Sequence, residues 1–184
     1  MKCIISIAAA SGLMWLAGCA SAPRIAVSKP VGPAPSSQAM GSDQGCLQVY
    51  SARIKEDVRP DLTEWESDYW NYPFEKNAFT YGLAHTDYFI RTMDGHTLQY
   101  VRNATNPADP QPALVTLPPG RYTVQSEGEE ADGRLVTVML PVLIEPGRTT
   151  VAHLGGHWAP EAHFTDADVV RLPDGQIAGW LARQ

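Results

Sequence analysis

Apolar and polar residues alternate with period two in run after run of this chain, and glycine or proline cuts each run short. Leu47, Val49 and Ser51 alternate with Gln48, Tyr50 and Ala52, and Ala113, Val115 and Leu117 form one face of another run. Successive strand side chains point to opposite faces, so this period predicts half-buried strands. Tyr88-Phe89-Ile90-Arg91 and Leu98-Gln99-Tyr100-Val101 flank Asp94-Gly95, a pair that tolerates positive φ and predicts a hairpin. Pro118-Pro119-Gly120 predicts a turn with glycine left-handed, leading into Tyr122 and Val124 on one face and Thr123 and Gln125 on the other. Pro141 interrupts the run from Leu135 to Ile144; it has no N–H for a ladder, which predicts an edge or a bend. Glu145-Pro146-Gly147 then turns the chain into Arg148 to Leu154. Residues 169–182 repeat the pattern of strand, Asp-Gly turn and strand, a second hairpin expected to pack on its own domain. About seven short strands with little helical period predict an all-β fold, a small antiparallel β-sandwich.

The N-terminus has a different logic. Met1-Lys2 is a short basic start, and Ile4 to Trp15 is an apolar stretch shorter than the roughly 20 residues a membrane-spanning helix needs. Leu16-Ala17-Gly18-Cys19 follows and resembles the bacterial lipobox, in which small residues admit a peptidase and the thiol accepts diacylglycerol. The resemblance implies that residues 1–18 are a signal peptide, that Cys19 is lipidated, and that the membrane is a partner through that lipid. One acyl chain holds only marginally, at about 0.8 kcal/mol per buried CH₂; two or three make attachment effectively permanent. Ala20 stands where some inner-membrane lipoproteins carry aspartate, which points to the outer membrane. Residues 19–45, rich in Ser, Ala, Pro and Gly, read as a flexible, lipid-anchored tether, and residues 46–184 as the domain.

Charge and cysteine narrow the partners. The formal net charge is −6, and −7 once Lys2 leaves with the signal, which argues against nucleic acid. Of the three cysteines only Cys46 lies in the expected domain, so the mature monomer has no disulfide, and Cys46 reads as a small buried hydrophobe.

Two clusters are candidates for chemistry. The insertion at residues 54–81 carries Trp65, Tyr69, Trp70 and Tyr72 among Glu64, Glu66, Asp68 and Glu75. Exposed rings beside carboxylates suit a sugar, whose C–H groups stack while its hydroxyls hydrogen-bond; alternatively the rings cover one end of the sandwich. His153, His157 and His163 lie near Glu161, Asp166 and Asp168, and zinc accepts such donors. Their spacing matches no defined site, and His153 is equally read as an outward residue on its strand, so neither a metal nor another cofactor is expected. No G-x-S-x-G elbow and no Gly-rich phosphate loop occurs, and no catalytic residue is assigned.

The stretches Leu117-Pro118-Pro119-Gly120-Arg121-Tyr122-Thr123-Val124 and Val142 to Leu154 resemble the carboxypeptidase-regulatory-like, or transthyretin-like (prealbumin-like), sandwiches of bacterial surface proteins. The order of hairpin, Pro-Pro-Gly turn, closing strand and the tail Arg171-Leu172-Pro173-Asp174-Gly175 to Trp180 is similar to a group of uncharacterised bacterial lipoproteins. These likenesses imply a fold and a place in the cell envelope, with no activity to carry over. Transthyretin-like enzymes of purine degradation end in tyrosine-arginine-glycine-serine, whereas this chain ends Trp180-Leu181-Ala182-Arg183-Gln184, so that activity is not expected. The function expected is a non-catalytic envelope lipoprotein serving as a structural or interaction module. Its alternatives are glycan binding through residues 65–81 and metal binding at the histidines, with an envelope protein or a glycan as the further partner.

Overall fold

The computed structural model describes residues 23–37, 41–57, 81–103, 111–156 and 158–183. Among them every regular element is a strand: β1 (Arg24–Ala26), β2 (Val31–Gly32), β3 (Gly45–Tyr50), β4 (Arg53–Asp57), β5 (Tyr81–His85), β6 (Tyr88–Thr92), β7 (Thr97–Val101), β8 (Leu114–Leu117), β9 (Gly120–Glu129), β10 (Leu135–Ile144), β11 (Thr149–His153), β12 (Val169–Arg171) and β13 (Ile177–Leu181). The large sheet runs β12-β13-β2-β10-β9-β6-β7, with β1 also on β10; a smaller sheet runs β11-β3-β8, and β4 and β5 form a two-stranded ribbon.

Alternation fixes which faces meet. From Tyr122 along β9 and throughout β10 the even-numbered residues are buried, among them Tyr122, Val124, Val136, Val138, Leu140, Val142 and Ile144. The small sheet contributes Leu47, Val49, Val115, Leu117 and Ala152, so one core lies between two β layers. The fold is therefore an all-β sandwich, but the described residues form thirteen strands where about seven were expected. It is also not purely antiparallel: β1 and β2 pair with β10, and β3 with β11, in parallel.

The tether reading of residues 19–45 gives way across much of the segment. β1 and β2 lie inside it, and Val31 is fully buried in the core. The Arg148 guanidinium holds the following stretch, donating from Nε to Ser37 Oγ at 2.9 Å and from Nη2 to the Ala34 carbonyl at 2.6 Å. Strands of two and three residues are too short to show a period, and their pairing comes from β10 and, for β2, also from β13. Pro141 explains why the segment docks in two pieces. Thr137 donates to Pro23 O and Met139 accepts from Val27 N, so the odd residues of β10 turn their backbone toward β1. Pro141, next in that series, falls in the gap between β1 at residues 137–139 and β2 at Val142, where no donor is needed. It sits at a local edge inside a continuous strand.

Turn chemistry departs from expectation in two ways. In the Asp-Gly turns only glycine takes positive φ, at 90° for both Gly95 and Gly175. Gly95 N donates to Thr92 O while Thr92 N donates to His96 O, and the turns at Gly133 and Gly175 repeat this arrangement, a type I turn followed by a left-handed glycine. Pro118-Pro119-Gly120, in contrast, carries the chain from β8 in the small sheet to β9 in the large one, and Gly120 is not left-handed. That corner is locked by the Tyr122 hydroxyl, which donates to the Pro118 carbonyl at 2.9 Å. Cys46 is free but only half-buried, since it shares the outward parity of Gln48 and Tyr50.

Candidate functional site

The register of the small sheet builds a stack of rings. Tyr50 and His153 end the parallel strands β3 and β11 as direct neighbours, so their side chains leave the same outer face. Adjacent strands lie about 4.8 Å apart, and the two rings stack at 4.7 Å with an interplanar angle of 12°. After β11 the chain turns at Gly155-Gly156, with Gly156 at φ 77°, and returns Trp158 over the far side of His153 at 4.1 Å and 8°. Gly155 permits the turn, because a Cβ there would meet Ala52 Cα at 3.0 Å and Ser51 O at 3.1 Å. His85, from β5, meets Tyr50 edge-on at 5.5 Å.

These groups line a cleft of about 440 Å³ with Arg53 and Glu129, within the size range of small-ligand sites. His153 is 9% exposed, and burial, with His85 nearby, lowers its pKa to about 4. The imidazole is therefore neutral near pH 7 and a weak base there. The His85 Nδ1 lies 2.8 Å from the Ser51 carbonyl, which can only accept, so that nitrogen carries the proton. Ser51 is not a nucleophile for this histidine. Its hydroxyl donates to Thr86 O at 2.7 Å and accepts from Asn103 Nδ2 at 3.0 Å.

Beside the cleft, a wider depression of about 550 Å³ shares His85 and includes Asp87 and Tyr100. The Asp87 carboxylate is committed to the fold, accepting from the Tyr100 hydroxyl and, at 2.9 Å, from Asn103 N. That bond raises the Tyr100 pKa.

The sequence candidates are dispersed. His153 takes the outward face of β11 but is buried there beneath Tyr50 and Trp158, His163 is exposed on the segment after Trp158, and His157 lies outside the described residues. Among the described residues no three His, Cys, Asp or Glu side chains converge as a metal would require. Asp166 pairs with Arg171, and Asp168 accepts from Thr165. Cys19, Trp65, Tyr69, Trp70 and Tyr72 lie outside the described residues, although β4 and β5 pair in register across the base of the insertion. Tyr50, Arg53, His85, Glu129 and Trp158 were missed. No sequence pattern marks them: Tyr50, for one, meets His153 through the parallel register of β3 and β11, which joins segments about 100 residues apart.

No protein-family model matches the chain, and the comparisons with curated proteins and with solved structures likewise found no match.

Proposed function

We propose that this chain is a lipid-anchored, non-catalytic lipoprotein of the cell envelope, placed at the outer membrane through Cys19, whose sandwich is an interaction module. The ring-stacked cleft is its binding surface. The observation that carries this reading is the enclosure of His153 between Tyr50 and Trp158. An acid–base catalyst needs an accessible imidazole with a pKa near the working pH, whereas this one is covered on both faces and shifted down to about 4. The stack instead forms a rigid aromatic wall, with the Arg53 cation and the Glu129 carboxylate as polar partners in the same cleft. That combination suits a small polar ring such as a sugar, held by ring stacking and hydroxyl hydrogen bonds.

The test titrates full-length protein in detergent with cell-wall and surface glycans while following tryptophan fluorescence. A saturable change lost in Trp158→Ala supports the cleft. A change that survives Trp158→Ala but is lost in Trp65→Ala or Trp70→Ala moves binding to the insertion. No change with any glycan points to a protein partner, sought by crosslinking in the envelope. Hydrolysis of any of these glycans overturns the non-catalytic reading.

A further inference from the structure

The short path from Cys19 to the first strand limits how far the sandwich can rise above its lipid. Thr137 N donates to Pro23 O at 3.0 Å, and Arg24 is registered opposite Thr137, so the chain is held in the sheet from residue 23 onward. Five residue steps separate Cys19 from Arg24, which fully extended span about 17 Å. A tether running from Cys19 to residue 45 would have allowed several times that reach.

The strand enters at one particular end. β1 runs parallel to β10 and begins near the start of β10, beside the turn at residues 130–134. The turn at residues 173–175 joins it there, with Ala131 N donating to Asp174 Oδ2 at 3.3 Å. The opposite end holds Pro118-Pro119-Gly120 and the turn at Pro146, since Ile144 is registered on Gly120. β9 and β10 are each ten residues long, which separates the two ends by about 33 Å.

The cleft belongs to the end where the lipid attaches. Glu129 N donates to Leu154 O and Leu154 N donates to Tyr50 O, which bring the ends of β9, β11 and β3 together. We propose that the end carrying the 130–134 turn is held against the bilayer surface, so that the cleft meets groups the membrane itself presents. This rests on lipidation at Cys19 and adds an orientation to it. The surface at this end sets Glu127, Glu129, Glu130, Asp132 and Asp174 against Arg24, Arg53, Arg134 and Arg171; with no basic excess, the tether rather than attraction to anionic lipid keeps it there.

The test places a fluorophore at Ala131→Cys or Pro146→Cys in a Cys46→Ser background. Full-length, acylated protein is reconstituted in vesicles containing a lipid with a spin-labelled headgroup as quencher. Strong quenching at residue 131 and little at residue 146 is expected, and a twelve-residue Gly/Ser insert between Ser21 and Ala22 should reduce the quenching at 131. Equal quenching at both ends, or no response to the insert, overturns the orientation while leaving the anchor intact. The mass of the N-terminal peptide is read separately. If Cys19 carries no acyl group, the anchor fails and the orientation fails with it.

Discussion

Asn103 should be among the most sensitive polar positions in the protein, and its cost can be worked from its bonds. The side chain is fully buried. Nδ2 donates to Val49 O at 2.8 Å and to Ser51 Oγ at 3.0 Å, while Oδ1 accepts from Ala113 N at 3.0 Å. The β3–β8 ladder stops at the Gln48–Leu114 pair, and Asn103 serves the strand where β8 has not yet begun. Asn103→Ala removes three hydrogen bonds of about 1 kcal/mol net each and leaves the buried Val49 carbonyl without this donor. The expected loss is about 3 kcal/mol, which for a domain of this size lowers Tm by about 6–12 °C.

Urea unfolding followed by tryptophan fluorescence reads this loss as a shift in midpoint at unchanged slope. Asn103→Asp keeps the shape but turns an acceptor toward Val49 O and buries a charge, so near pH 7 it should be the worse variant. Ser51→Ala, which removes a bond to Thr86 O and the acceptor for Asn103 Nδ2, should cost about 1–2 kcal/mol. Because the two side chains share a bond, the double variant should fall short of additivity by about 0.5 kcal/mol or more. An Asn103→Ala loss below about 1 kcal/mol, or strict additivity with Ser51→Ala, would refute the idea that this network carries the β7–β8 connection.

Three further outcomes are expected. Val31→Ala should cost about 2 kcal/mol by leaving a cavity in the core, and a chain starting at Gly45 should lose cooperative thermal unfolding; an unchanged melting curve for either would restore the tether reading. Tyr122→Phe removes the bond to Pro118 O and should lower stability by about 1 kcal/mol, seen as a small fall in the urea midpoint without any change in far-ultraviolet circular dichroism. His153 has a folded pKa of about 4 against 6.5 for the free group, so the unfolded chain takes the proton first as pH falls. Its contribution is complete above about pH 6.5, declines toward pH 4 and is then gone, at most about 3 kcal/mol. The urea midpoint of wild type should therefore fall relative to that of His153→Gln as pH drops through that window, and parallel curves would rule out a buried neutral imidazole.

What the sequence determined by itself was local. Period-two alternation along residues 120–129 and 135–144 specifies which side chains face inward, because a strand has only two faces. Asp-Gly pairs marked the hairpins at Gly95 and Gly175, because glycine adopts the left-handed conformation without steric cost. The tertiary structure decided whatever depends on pairing between distant segments. β1 and β2 lack enough residues to show a pattern and become strands only because β10, on either side of Pro141, and for β2 also β13, offer them free backbone groups. The ring stack likewise requires Tyr50 and His153 to end parallel strands in one register, with Trp158 folded back over them. Parallel neighbours are joined by long connections, so their register is set by the packing of the two layers and leaves no short-range mark in the chain.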